Sequence, residues 1–347
     1  MEFGLPEVVA LVTMVALNAY VLTGGADFGG GVWDLCAFGP RAEEQRHLIA
    51  DAIGPIWEAN HVWLIVVVVM LFGAFPSAFS TLGTVLHIPL TAMLVGIVLR
   101  GCGFVFRKYG TLTRIQRRAG RAFAISSAMT PLIFGLCVGA VASGAVGRAA
   151  ALLATAQFAD ASPSFLEVFV APWLALFPAA VSVLTLALFA FLAAIYLAAA
   201  APTEDLRYDF RFRALVAALV VFAAAIGSLF LAPSEAPHIV SRLAATPSAM
   251  LFQLAIGVGG LATLVALWRE RWQLARAAGA AQVSLILWGW AMAQHPYVIP
   301  FTLTIDDAAA PGVTLELLLG GLVIGSVILL PSLAYLFAVF SKSQSAP

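Results

Sequence analysis

Long apolar runs dominate this chain, and short polar segments separate them. A transmembrane helix needs about 20 predominantly apolar residues, and the pattern predicts nine such spans. They cover residues 8–36, 52–73, 79–105, 122–145, 166–199, 214–232, 248–268, 277–293 and 312–339. Transmembrane β-strands would instead give alternating segments of about ten residues. Since lipid leaves unpaired backbone groups unsatisfied, the continuous runs predict an all-α integral membrane protein with nine transmembrane helices.

The composition agrees with this pattern. Of the 347 residues, 62% are hydrophobic and 10% are charged, whereas soluble domains are about 25% charged. The first run lacks a basic amino-terminal region, so we interpret it as a retained span and not as a signal peptide. Three widely spaced cysteines, Cys36, Cys102 and Cys137, fit neither a disulfide framework nor a zinc site.

The basic residues indicate an orientation. When the loops are assigned to alternating sides, nearly all loop lysines and arginines fall on one side, and Arg148 and Arg242 alone fall on the other. Cytoplasmic loops carry the excess of Lys and Arg. This predicts an external amino terminus and a cytoplasmic carboxyl terminus. Because topology explains the arginines, they do not indicate a nucleic-acid partner.

Three ionisable residues lie inside the first three runs. Asp27 falls in the glycine-rich segment 23–31, Glu58 in segment 56–64, and Arg100 near the end of the third run. Glu58 and Arg100 each lie seven residues, or about 10 Å, from the predicted cytoplasmic end. An unpaired charge at membrane depth costs about 2.5–3.5 kcal/mol. The pattern therefore predicts a cluster of the three, which would either lock the helices together or pass protons.

The histidines raise the question of haem. His61 and His87 lie in neighbouring runs and are predicted near the midplane, which is compatible with a bis-histidine haem, although a hydrogen-bonded or water-bound histidine is favoured. Segment 290–300 predicts a rigid turn, with the border of a quinone or lipid groove as the alternative, and Asp306 and Asp307 predict a solvated loop. The chain has no nucleotide-binding, zinc-protease or CxxC motif. We therefore assign no catalytic residue to it.

Three segments together resemble subunit II of the cytochrome bd-type quinol oxidases, including the cyanide-insensitive branch. They are Gly-Ala-Asp-Phe-Gly at 25–29, Pro-Ile-Trp-Glu-Ala-Asn-His-Val-Trp-Leu at 55–64, and Leu-Arg-Gly at 99–101 with Phe104, Phe106 and Arg107 following. Weaker similarities lie at 194–197 and 295–297. Members of that family often have Asp at the position of Glu58 and Gln at the position of His61.

The resemblance implies a fold and a partner. The chain would be a single polytopic domain over 1–347, with one four-helix bundle in 1–145 and a second bundle plus a peripheral helix in 166–340. It would form a pseudo-symmetric pair with subunit I, which holds haems b and d and the quinol site. This chain would bind no haem and no metal. A structural quinone in this chain and an additional small single-helix subunit are further expectations for parts of the family.

The resemblance also implies a role for the charged cluster. The complex would oxidise quinol and reduce oxygen to water in the bacterial cytoplasmic (inner) membrane. Asp27, Glu58 and Arg100 would contribute a cytoplasmic proton uptake route, supported by Trp57, Asn60 and His61. Two other classes stay open: a secondary transporter or ion-conducting protein that uses Asp27 and Glu58, and a self-sufficient membrane cytochrome b.

Overall fold

A computed structural model shows a bundle of long helices. It describes residues 4–109, 113–156, 162–244 and 247–343, with side chains described for all of these but 53–59, 108, 244, 247–248 and 336–343. The first eight helices are α1 (Leu5–Leu35), α2 (Ala42–Ala74), α3 (Pro76–Val85), α4 (His87–Tyr109), α5 (Thr113–Ala142), α6 (Ala145–Ala156), α7 (Phe165–Phe169) and α8 (Leu176–Ala200). The following elements are α9 (Glu204–Glu235), α10 (Pro237–Ala244), α11 (Pro247–Trp268), α12 (Trp272–Gln294), the antiparallel strands β1 (Tyr297–Ile299) and β2 (Leu303–Thr304), α13 (Ile305–Ala308) and α14 (Gly312–Ser343).

The prediction of an all-α membrane protein is confirmed. Within the described ranges, seven helices are long and apolar enough to cross a membrane, and α2 with α3 makes an eighth if that bent pair is one span. The eighth predicted span, 277–293, lies inside α12, which is helical throughout but is not among those seven. The count of nine spans therefore stays a prediction.

The prediction that the third span begins at residue 79 was wrong. Residues 76–85 form α3, which turns by 112° from the last part of α2, and the next span begins at His87. Proline lacks an N–H and restricts the residue before it, so Pro76 ends α2 and starts a new helix. The predicted spans leave a gap at this break, but the apolar residues of α3 continue towards α4, so hydropathy alone does not show that 79–85 lies outside the next span.

The run 166–199 was also predicted too long. Its first part forms the five-residue helix α7, capped by the Ser164 hydroxyl, which accepts a hydrogen bond from the Glu167 N–H at 3.2 Å. A turn follows, and the long helix α8 begins only at Leu176. The fifth span is thus about ten residues shorter than predicted, because the short apolar helix α7 and a turn precede it.

The two ends of the bundle differ. We call the end at which α1 ends and α2 begins the basic end; the α4–α5, α8–α9 and α11–α12 connections lie there and carry most arginines. We call the other end the capped end, because the short helices α3, α6, α7, α10 and α13 and the β-hairpin cover it. Contacts such as Ala310 N–H to the Ala74 carbonyl, at 2.8 Å, join these pieces.

Helices α1 and α8 form the centre of the bundle. Helix α1 packs against α2, α5 and α8, and α8 packs against α1, α5, α9 and α12. The apolar core between them includes Phe28 of α1 with Phe189 and Leu192 of α8. Burying large apolar and aromatic side chains here encloses the second half of α1, from Tyr20 onward, whereas Leu11 and Val15 in its first half are exposed. The carboxyl groups of Asp27 and Asp34, in this half of α1, are therefore enclosed by protein.

His238 in the capped end predicts a pH-dependent stability. Burial lowers the pKa of His238, and the positive charges of Arg148 and Arg242 lower it further, against a smaller opposing effect of the nearby Ala142 backbone. A histidine with a lowered pKa in the fold stabilises the protein above its ordinary pKa of about 6.5, and this contribution is lost as the pH falls below that value.

We therefore expect the thermal midpoint of the wild-type protein to fall between pH 7.5 and pH 5.5, and His238→Gln to show a smaller fall. Unfolding in detergent, measured at several pH values, checks this. His47→Gln is the matched control, since His47 is exposed. Equal slopes for wild type and His238→Gln would contradict the prediction.

Candidate functional site

A buried acid–base pair lies between α1, α2 and α4. Asp27, in the last third of α1, is fully buried, and Arg100 of α4 is 1% exposed. Arg100 Nη2 donates to Asp27 Oδ1, while the Asn60 Nδ2 of α2 donates to Asp27 Oδ2 at 2.7 Å. Both carboxylate oxygens thus have partners, and three helices meet at one side chain.

The guanidinium of Arg100 is held from several directions. Its Nε donates to the Ser127 Oγ of α5 at 2.9 Å, and Nη2 also donates to the Asp27 backbone carbonyl at 3.3 Å. The rings of Phe28 and Phe123 lie 4.6 and 5.1 Å from Cζ. Aromatic faces attract a cation in a dry environment. The surroundings therefore fix the position of the charge that faces Asp27.

Glycines in α1 make this close packing sterically allowed. A Cβ added at Gly29 would overlap the backbone carbonyl of Phe189 in α8, and one added at Gly31 would overlap the side chain of Ser127 in α5. Small residues let helix backbones approach closely in membranes. The glycine-rich segment therefore brings Asp27 within reach of its partners.

A second acid–base pair repeats the first, closer to the basic end. Asp34 and Arg107 each follow their counterparts, Asp27 and Arg100, by seven residues, and Arg107 Nη1 lies 2.8 Å from Asp34 Oδ1. Seven residues are about two turns, so each pair of equivalent residues shares a helix face at a spacing of about 10 Å. Side-chain exposure rises from 0% and 1% in the inner pair to 5% and 22% in the outer pair. We call these four residues the Asp–Arg ladder.

Of the other predicted site residues, the structure describes the side chain of His61 but not those of Trp57 and Glu58. His61 in α2 is half-buried and lies close enough to Asp27 for an electrostatic interaction. The side chains of Trp57 and Glu58 lie outside the described residues. The helical backbone of α2 nevertheless places position 58 about 3 Å along the axis from Asn60, towards the basic end.

Comparison with known proteins identifies the family. Residues 5–340 match the family described as "Cytochrome bd terminal oxidase subunit II". The chain belongs to this family. It is a multi-pass protein of the bacterial inner membrane, and the resemblance drawn from the three motif segments is confirmed.

Named relatives of this subunit II chain align over shorter regions. It is 28% identical over 134 residues to "Cytochrome bd-I ubiquinol oxidase subunit 2" of Escherichia coli (strain K12), covering 39% of this chain and 35% of the relative. It is 36% identical over 83 residues to "Cytochrome bd ubiquinol oxidase subunit 2" of Bacillus subtilis (strain 168), covering 24% of each. The aligned regions thus span about a third or less of those relatives.

A solved structure supports the same fold over the whole subunit II chain. A chain of "The structure of bd oxidase from Geobacillus thermodenitrificans" superimposes with a TM-score of 0.77 at 18% sequence identity. The match covers 97% of this chain and 98% of that one. At this identity the likeness concerns the helix arrangement.

The suggested midplane pairing of His61 and His87 in this subunit II chain was wrong. His87 is exposed at the first residue of α4, with Nδ1 2.9 Å from the Thr84 carbonyl oxygen. It precedes Arg100 by thirteen residues, or about 20 Å. His61, in contrast, follows Asn60 at the level of the Asp27–Arg100 pair. Both axial ligands of a haem must touch one iron, so these histidines are not such a pair.

The polar segment after α12 forms the β-hairpin of the capped end. Gln294 Nε2 donates to the Val298 carbonyl at 2.9 Å, and the bond between His295 and Pro296 is cis. Asp306 and Asp307, predicted in a loop, lie exposed in the short helix α13. Among the described residues, no group of three His, Cys, Asp or Glu side chains could hold a metal ion.

Sequence reasoning missed several partners in the site. Ser127 and Phe123 contact Arg100 from α5, but their side chains carry no signal of this in the sequence, since only packing sets the register of α4 against α5. The pair of Asp34 and Arg107 was also missed, although its seven-residue offset from Asp27 and Arg100 is visible in the sequence. That spacing was the available signal.

A separate polar cluster fastens the basic end. Asp209 of α9 accepts from Arg41 Nε at 3.0 Å, from Arg41 Nη2 at 2.6 Å and from Gln45 Nε2 at 2.8 Å. Arg213 donates to Gln45 Oε1 at 2.7 Å and to the Cys36 carbonyl at 3.2 Å. Two-point arginine–carboxylate contacts fix geometry well. This cluster joins the α1–α2 connection to α9, and we interpret it as structural.

Proposed function

We propose that this chain is the haem-free subunit II of a bd-type quinol:oxygen oxidoreductase. It supports a haem-bearing subunit I, which carries haems b and d and the quinol site, and a small single-helix subunit accompanies some such complexes. The family membership and the bd oxidase fold support this assignment. Residues 1–145 and 166–340 are the two halves, with α14 as the peripheral helix.

We further propose that the chain supplies a cytoplasmic proton uptake route. The Asp–Arg ladder is the observation that carries this proposal: two carboxylates lie on one face of α1, and their exposure rises towards the basic end. The excess of arginines predicts that the basic end is cytoplasmic, with the amino terminus outside. Reduction of oxygen to water consumes protons, and the ladder leads from the cytoplasm to the interior.

Each residue of the inner site has a role in this proposal. The Asp27 carboxylate accepts a proton and releases it again; Asn60 and Arg100 hold the carboxylate in place. Burial favours the protonated carboxyl group, whereas the arginine charge favours the ionised carboxylate, so the site combines an effect that promotes proton uptake with one that promotes release. Glu58, on α2 and slightly nearer the basic end, is the carboxylate proposed between Asp34 and Asp27. Trp57 and His61 are supporting residues.

Substitution of the proposed carboxylates tests the route. We expect Asp27→Asn and Glu58→Gln each to lower oxygen consumption of the assembled complex by about tenfold or more, since a positioned proton carrier is lost. Both changes preserve the size of the side chain. Oxygen uptake with added quinol measures the effect, and charge translocation in proteoliposomes measures proton uptake.

Glu270→Gln is the matched control, because Glu270 is 57% exposed and pairs with Arg211 in another connection. Co-purification with subunit I and an unchanged haem spectrum must accompany each variant, so that loss of assembly is separated from loss of proton uptake. Full turnover and full charge translocation in Asp27→Asn and Glu58→Gln would remove both carboxylates from the route.

A further inference from the structure

An arginine-lined cavity lies at the beginning of α5, and no residue of the Asp–Arg ladder lines it. Its volume is about 390 Å³, and its lining consists of Thr113, Arg114, Arg117, Arg118 and Arg121. All five side chains are exposed. Four guanidinium groups thus surround one open cavity at the basic end of the bundle.

These arginines lack the acidic partners found elsewhere at the basic end. Arg41 pairs with Asp209, and Arg211 pairs with Glu270. In contrast, positions 59–159 of the sequence contain no Asp or Glu, and within the described residues none of the four cavity arginines forms an ion pair. Topology explains why arginines lie at this end, but it does not explain four uncompensated charges around one cavity.

The chemistry of the cavity suits a phosphate group. The guanidinium is a planar donor that matches phosphate oxygens in a two-point geometry. The cavity also lies at the start of α5, a helix of 30 residues, where the helix dipole adds positive potential. An anionic phosphate group in this cavity would neutralise charges that the protein itself leaves unpaired.

An apolar track continues from the cavity along the same face of α5. Arg118 and Arg121 are followed by Ile125 and Met129 at helical spacing, so the four residues share one face. Ile125 is 54% exposed and Met129 is 49% exposed. A molecule with a phosphate head and apolar chains would contact both parts at once, whereas a soluble phosphate would contact only the arginines.

We propose that this face binds an anionic phospholipid of the membrane leaflet at the basic end. The arginine cavity holds the phosphate of the headgroup, and an acyl chain lies along Ile125 and Met129. Clusters of arginine and lysine next to the cytoplasmic end of a transmembrane helix bind anionic lipid headgroups in this way. The site is separate from the proposed proton route, so either proposal can fail without the other.

Lipid binding by the purified full-length chain, together with any subunits that co-purify, tests the proposal. Native mass spectrometry with added dioleoyl phosphatidylglycerol or dioleoyl phosphatidylethanolamine measures binding. We expect phosphatidylglycerol to bind more tightly, and R118Q/R121Q to weaken its binding about 30-fold, since each arginine near an anionic lipid contributes about fivefold. R269Q/R271Q is the matched control, with two exposed arginines removed from another connection, and should change binding by less than about twofold.

Several outcomes would overturn the proposal. They are equal binding of the two lipids, binding that R118Q/R121Q leaves unchanged, and displacement of phosphatidylglycerol by millimolar inorganic phosphate, which would assign the cavity to a soluble anion. A co-purifying protein that covers the arginines would overturn it as well. The thermal midpoint of R118Q/R121Q should match that of wild type, because the two side chains are exposed; this separates loss of binding from loss of fold.

Discussion

Arg100→Met should lower the free energy of unfolding by about 3–5 kcal/mol, because removal of one partner leaves the buried charge of Asp27 uncompensated. Methionine has a similar length and fits the contacts with Phe28 and Phe123, so the loss comes mainly from the charge and its hydrogen bonds. Thermal unfolding in detergent measures the change. Unfolding is detected by alkylation of the buried Cys137, in a background that lacks the exposed Cys36 and Cys102.

Two further variants separate the buried charge from general damage. In R100M/D27N the carboxylate charge is gone, while an oxygen remains to accept from Asn60, so we expect recovery of more than half of the loss. Arg211→Met breaks a pair whose acid, Glu270, is exposed, and should cost about 1 kcal/mol or less. An Arg100→Met variant as stable as Arg211→Met would show that the inner pair does not hold the helices together.

Gly29→Ala should produce the second large loss of stability. The added methyl group would overlap the Phe189 carbonyl, so α1 and α8 must separate along their buried interface. Overpacking of this kind costs about 1–3 kcal/mol, and we expect the upper part of that range because the obstacle is backbone. The same alkylation assay measures it, together with the yield of the assembled complex.

Gly325→Ala in α14 is the control for the change of residue type. Apart from its chain neighbours and the adjacent backbone of its own helix, no atom of the described residues lies within 4 Å of a Cβ at that position, and alanine is favoured over glycine inside a helix by about 0.5–1 kcal/mol. We therefore expect unchanged or slightly raised stability. If Gly29→Ala also raised stability, the close approach of α1 and α8 would not be a constraint.

Much of the fold could be predicted from the sequence, because long apolar runs have few alternatives to helix in lipid. The runs left a gap around Pro76 but assigned 79–85 to the third span, and they missed the break before Leu176; in both places apolar residues belong to short helices that cover the bundle and do not cross it. Length and hydropathy indicate that a segment is apolar enough to lie in lipid, but not whether it crosses the membrane. Pro76, between the second and third runs, was the local sign of the first break.

At the inner site, too, the sequence predicted some features, while others depended on how the helices pack. The common depth of Asp27 and Arg100 follows from counting helical residues, and the glycines around Asp27 indicated close packing. The choice of Ser127 and Phe123 as partners of Arg100 depends on how α5 lies against α4. Such contacts between helices distant in sequence are not encoded in the local pattern of either helix.

By itself, the sequence determined the all-α membrane class and the family, and it indicated which charged residues lie at membrane depth, because these follow from hydropathy, helical rise and short motifs. Only the tertiary structure decided that Asp27 is enclosed by three helices and that Asp34 and Arg107 form a second pair nearer the basic end. It also showed that four arginines without an ion-pair partner among the described residues line one cavity. The reason is physical: burial and charge pairing depend on the packing of whole helices against one another.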